Sequence, residues 1–203
     1  MRPMISTSET AKSGASATAT GVTACAGRAR VLDAALDAAH TLVLGLWFGA
    51  MVFFSAAVAP SAFGVLPTRA LAGSLVNSVL GKLEWWGLTC GLLLIALQIA
   101  QRLRGGRLNS WKGWLLIALP VVMTLNVAVS KFVVSARLAA LRAGLGGEIE
   151  RLPPSDPVRL TFAAWHQYSV WLMACNILAG AALVILSRVW LRTAASSGAS
   201  RNE

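Results

Sequence analysis

Four long apolar runs, separated by short charged segments, dominate the pattern of this chain. The first extends from Ala38 to Thr68 without a charge and is densest over Thr41–Ala59. The second lies between Glu84 and Arg102, the third between Lys112 and Lys131, and the fourth inside Leu160–Ser187. A helix needs about 20 apolar residues to cross the hydrocarbon core of a bilayer. Each run therefore predicts one spanning helix, over 39–60, 84–102, 112–131 and 162–187. Two further stretches are apolar on one helical face only. Leu71, Leu75, Val76, Val79 and Leu83 oppose Arg69, Ser74, Asn77, Ser78 and Lys82, while Val134, Leu138, Leu141 and Leu145 oppose Arg137 and Arg142. Such segments either lie in the interface or prolong the second and third spans beyond the bilayer. The pattern predicts an all-α fold, an integral membrane four-helix bundle with short amphipathic helical extensions.

The ends differ from the middle. Residues 1–30 are small and polar, without periodicity, and predict a disordered tail. Residues 31–192 form the transmembrane domain, and 193–203 a C-terminal tail. Val22-Thr23-Ala24-Cys25 resembles a lipoprotein cleavage box, but no apolar stretch precedes it. The first run is too long for a cleaved leader, and Pro60 would follow a cut after Ala57-Val58-Ala59.

Composition supports the same class. Of 203 residues, 56% are hydrophobic and only 13% charged, with mean hydropathy +0.65; soluble domains carry about 25% charge. The net charge of +10 would suggest nucleic acid in a soluble protein. Here the basic residues flank apolar runs, so the partner they imply is the lipid bilayer and its anionic headgroups, with no nucleic acid. The loop from Arg102 to Lys112 holds four basic and no acidic residues, which predicts that it and both termini face the cytoplasm of a bacterial inner (plasma) membrane. Loop 3, with Arg137, Arg142, Arg151 and Arg159, pulls the other way. Six of the eight tryptophans (Trp85, Trp86, Trp111, Trp114, Trp165, Trp190) fall near predicted span ends, where indole prefers the headgroup boundary.

Candidate chemistry is sparse. Gly45 and Gly49 form a GxxxG, which favours close helix packing within the bundle, and Pro60 and Gly180 are read as further packing positions. In the fourth span His166, Ser169, Met173, Asn176 and Gly180 share one face. A polar stripe in a membrane helix belongs inside the bundle, and Thr124, Asn126 and Ser130 of the third span, beyond a kink expected at Pro120, are its partners. The simpler reading makes Asn126 and Asn176 interhelical glue, each bond worth about 1 kcal/mol. The sharper one makes the stripe the lining of a small-molecule, ion or proton path. His40 and His166 lie at opposite ends of the spans, roughly 20 Å or more apart, so they cannot ligate one haem iron. Glu84 is placed at the outer interface, within reach of His166 for a metal, whereas Cys175 is about 13 Å from His166 along the helix. No acidic residue is expected inside a span, and no hydrolase, zinc-protease or phosphate-loop pattern is present. The expectation is a chain that is not an enzyme and has no cofactor and no metal.

The order of features resembles a known family. The first helix reads Leu46-Trp47-Phe48-Gly49-Ala50-Met51-Val52-Phe53, then Val58-Ala59-Pro60, Phe63, Leu66 and Ala72-Gly73. The fourth opens with Phe162-x-x-Trp165-His166-x-x-Ser169 and carries Asn176. Over about residues 35–190 this looks like the TMEM205-like four-helix membrane proteins, whose bacterial members carry a DUF4149 domain. Trp165 stands where leucine is expected, and loop 3 is long. The resemblance implies no enzymatic activity and a loose link to efflux or trafficking. The expected function is thus that of a non-enzymatic membrane protein with a scaffold, accessory or assembly role. A small transporter using the polar face of the fourth helix is the alternative, and a haem- or copper-related membrane protein the second. Homo-oligomer and membrane-protein partner both remain open.

Overall fold

The computed structural model describes residues 8–104, 111–144 and 149–199. Its helices are α1 (Ser8–Phe53), α2 (Ala59–Val65), α3 (Arg69–Leu103), α4 (Trp111–Val129), α5 (Ala136–Ala143) and α6 (Pro157–Ala199). Two π-helical turns, Phe54–Val58 and Ser130–Ser135, join α1 to α2 and α4 to α5 without a break. A 3-10 turn at Ile149–Arg151 precedes α6, and no strand occurs among the described residues. Four helical stretches are long and apolar enough to cross a membrane: Gly27–Val65, Arg69–Leu103, Trp114–Ala143 and Pro157–Ser187. The chain divides into two units, Met1–Ala39 and His40–Glu203. The described part of the first is helical from Ser8, extending into the stretch read as a polar tail. Its many alanines are the best helix formers.

Both amphipathic segments are continuous with their neighbours. The second helix begins at Arg69, not near Glu84, and its 35 residues reach about 52 Å. It starts where it does for local reasons. Leu66 precedes a proline and is extended, with φ −76° and ψ 141°. Thr68 then caps the helix, its Oγ1 accepting from the Leu71 N–H at 3.2 Å. The consequence matters: Glu84 falls near the middle of α3 instead of at a span end.

The core of the second unit is built from Leu44, Trp47 and Met51 of α1, Cys90 and Leu94 of α3, Met123 and Val127 of α4, and Leu183 of α6. Around it Leu46, Leu92, Leu125, Trp171 and Leu178 point outward, each at least 60% exposed. Among the described residues the buried polar side chains are Glu84, Gln98, Thr124, Ser169 and Asn176. Polar groups inside and large apolar ones outside is the arrangement that lipid, not water, favours.

Glycines set the helix spacing at positions other than those anticipated. Gly45 and Gly49 are exposed, and a Cβ on either would meet nothing within 4 Å. The face of α1 that turns inward is Leu44–Trp47–Met51, so the GxxxG lies on the other side. Pro60 is exposed too; it stands in the first turn of α2 directly after a π-helical turn, where its missing N–H is tolerated. At Gly180 a Cβ would come 2.9 Å from Phe48 Cδ2. Gly87 and Gly91 of α3 are also close approaches: Trp47 Nε1 lies 3.0 Å from a Cβ on Gly87, and the Thr124 side chain occupies the place of a Cβ on Gly91, the tightest of the three.

Candidate functional site

Glu84 is 5% exposed, in the interior between α3 and the α4–α5 junction. Its Oε1 accepts from Ser130 Oγ at 2.7 Å and from Ser135 Oγ at 2.8 Å. Two residues five apart diverge by about 140° around an α-helix. The π-helical turn over Ser130–Ser135, with its wider i→i+5 bonding, brings both hydroxyls to one side. Between them in sequence, Lys131 places Nζ 3.8 Å from Glu84 Oε2 and donates to the Gly81 carbonyl at 3.5 Å. The same ammonium lies 4.6 Å over the Trp85 ring.

Glu84 Oε2 is buried and has no hydrogen-bond partner among the protein atoms. Glu84 lines a cavity of about 20 Å³ together with Trp47, Met51, Asn126, Ser130 and Asn176. That is enough for one water-sized molecule with several polar neighbours. On the far wall Asn126 Nδ2 donates to Asn176 Oδ1 at 3.2 Å and to the Leu172 carbonyl at 3.1 Å, tying α4 to α6. A carboxylate, a serine hydroxyl and two carboxamides therefore surround one small interior space.

The stripe expected on the fourth helix divides. Asn176 reaches Asn126 and the Glu84 cavity, whereas His166 and Ser169 line a separate apolar slot with Phe54 and Val76. Thr124 is buried, but its hydroxyl donates to the Pro120 carbonyl of its own helix at 2.6 Å. Glu84 is buried in the bundle and lines the small cavity, whereas His166 lines the slot. Among the described residues no group of three or more His, Cys, Asp or Glu side chains is placed to hold a metal. Elsewhere, Gln98 Nε2 donates to His40 Nε2 at 3.0 Å.

Ser135, Lys131 and the central place of Glu84 escape a reading of the apolar runs. A signal was available: Glu84, Gly87, Gly91, Leu94 and Gln98 step by i, i+3, i+7, i+10 and i+14, the same face periodicity that marks α6. All five are buried.

Four apolar helices enclosing a carboxylate and polar side chains define a multi-pass membrane protein. The chain belongs to the DUF4149 family, a domain of unknown function, whose model matches residues 42–145. The match takes in Glu84, Asn126 and the Ser130–Ser135 turn and stops before α6. No match was found among curated proteins or solved structures.

Proposed function

We propose that this DUF4149 protein is a small, non-enzymatic transport module in which Glu84 takes up and releases a proton inside the membrane. The observation that carries the reading is the asymmetry of the carboxylate. Two serine hydroxyls hold Oε1, while Oε2 is buried, lacks a hydrogen bond and has the Lys131 ammonium at 3.8 Å, and Glu84 lines the water-sized cavity. Elsewhere the bundle ties its helices together with neutral groups, as in Asn126–Asn176. A glutamine could make such a tie at lower desolvation cost, so an ionisable group at this depth argues for use of its charge. The centre differs from the helix-4 face anticipated for a permeation module, but Asn176 belongs to both.

The test is proton flux in proteoliposomes carrying a pH-sensitive dye, driven by a potassium diffusion potential. Wild-type protein should accelerate dye response over protein-free vesicles, and Glu84→Gln should return it to the vesicle baseline. Flux that is equal in both proteins, or absent from the wild type, would overturn the reading. A scaffold role is then the second reading, favoured by the cavity's size: about 20 Å³ suits a bridging water better than passage.

The membrane proposed is the bacterial inner membrane, with both termini cytoplasmic. The charge of the Arg102–Lys112 loop supports that orientation. Kinship with the TMEM205-like proteins is part of the same proposal and rests on the motifs of the first and fourth helices.

A further inference from the structure

A second region of the molecule carries chemistry that the Glu84 centre does not use. Arg69 is the first residue of α3, Arg142 lies in the last turn of α5, and Arg159 lies in the first turn of α6. All three line one cavity of about 650 Å³, together with Ser74, Asn77 and His166. The Lys131–Glu84 ion pair lies at the other centre and involves none of these guanidinium groups. Arg159 donates to the Leu152 carbonyl at 2.7 Å, and Arg142 lies 5.0 Å over the Phe162 ring.

The helix dipole accounts for only one of the three. A cation near the C-terminus of a helix, as Arg142 is, is favoured; cations in the first turn, as Arg69 and Arg159 are, are disfavoured. Two such cations lining one cavity with a third favour an anion in it. Guanidinium forks suit phosphate oxygens in particular.

The cavity does not end in protein. Phe63 and His166 also line an apolar slot of about 290 Å³, walled by Phe54, Val76, Leu80 and Ile177. A basic chamber and an apolar slot that share a wall match an amphiphile, whereas a free phosphate has no use for the slot. The three arginines stand at helix ends, where headgroups lie when the helices span a bilayer. We infer that this end of the bundle binds an anionic phospholipid, its phosphate among Arg69, Arg142 and Arg159 and an acyl chain in the slot behind His166.

The experiment uses the full chain, purified and delipidated in a neutral detergent. Dioleoyl-phosphatidylglycerol, dioleoyl-phosphatidylcholine and inorganic phosphate are each titrated in turn, with binding read by native mass spectrometry and by thermal shift. Phosphatidylglycerol should bind at one site and raise the melting temperature; the other two should not match it at equal concentration. Arg69→Gln and Arg159→Gln should each weaken phosphatidylglycerol about fivefold, from roughly 1 kcal/mol per interfacial cation. Arg69 is exposed, so its variant should keep the fold even if Arg159→Gln does not. Ala174→Phe, which fills the slot without touching the arginines, should also weaken the lipid. Equal binding of the two lipids, or wild-type affinity in Arg69→Gln, would overturn the site. Inorganic phosphate that reproduces the full shift would replace the lipid with a free anion and overturn the assignment of the slot.

Discussion

Ser130 and Ser135 donate to the same oxygen of Glu84, at 2.7 and 2.8 Å, from positions that an unbroken α-helix would turn to different sides. The π-helical turn is thus part of the site and not a defect between α4 and α5. Removing one hydroxyl should be measurable. Ser135→Ala should lower stability in detergent by about 1 kcal/mol, the usual size of an interhelical bond in a membrane protein. Thermal unfolding of the purified variant checks it, and an unchanged midpoint would mean that the turn is held by packing alone.

The asparagine pair makes a second expectation. Asn176→Leu deletes the acceptor of the Asn126 bond and should cost about 0.6–2 kcal/mol. Leu178→Val, two residues on and 70% exposed, should change little in detergent. Equal midpoints for the two variants would contradict the inner face assigned to α6.

Glycine positions separate the tight approach from the open one. Gly91→Ala drives a methyl group into Thr124 and should destabilise by about 1–3 kcal/mol, the range for overpacked cores. Gly45→Ala and Gly49→Ala meet nothing within 4 Å and should leave the monomer's unfolding midpoint where it is or raise it slightly. A large loss at Gly45 or Gly49 in a monodisperse monomer would show that this face of α1 is covered.

Orientation can be read independently of stability. With both termini cytoplasmic, an alkaline phosphatase fused after Arg192 should be inactive and a fluorescent protein at the same point bright. The reverse pair of results would place the arginine cavity on the cytoplasmic side.

The four spans were legible because lipid imposes long uninterrupted apolar runs, and the runs at Thr41–Ala59 and Leu160–Ser187 fall inside the helices found. The Asn126–Asn176 contact was legible as well, since a carboxamide inside an apolar helix has few places to go. Glu84 was not. It sits where an apolar run begins, which reads as a boundary in the sequence, although the helix runs on from Arg69. Charge frequency reads as a span end, and only the face shared with Gly87, Gly91 and Gln98 distinguishes a buried carboxylate from an interfacial one. The Ser130–Ser135 turn was illegible for another reason: a π-helical turn breaks the 3.6-residue period from which faces are assigned. Gly45 and Gly49 misled because a small-residue motif states what a face permits, not which face turns inward.

Proton exchange at Glu84 is tested most directly by pH-difference infrared spectroscopy of the protein in lipid. Lowering the pH should raise a carboxyl C=O band from a buried group, and that band should be missing from Glu84→Gln while the amide bands stay unchanged. A carboxyl band that persists in Glu84→Gln, or no titrating buried carboxyl in the wild type, would contradict a proton-binding role and leave Glu84 a structural clamp.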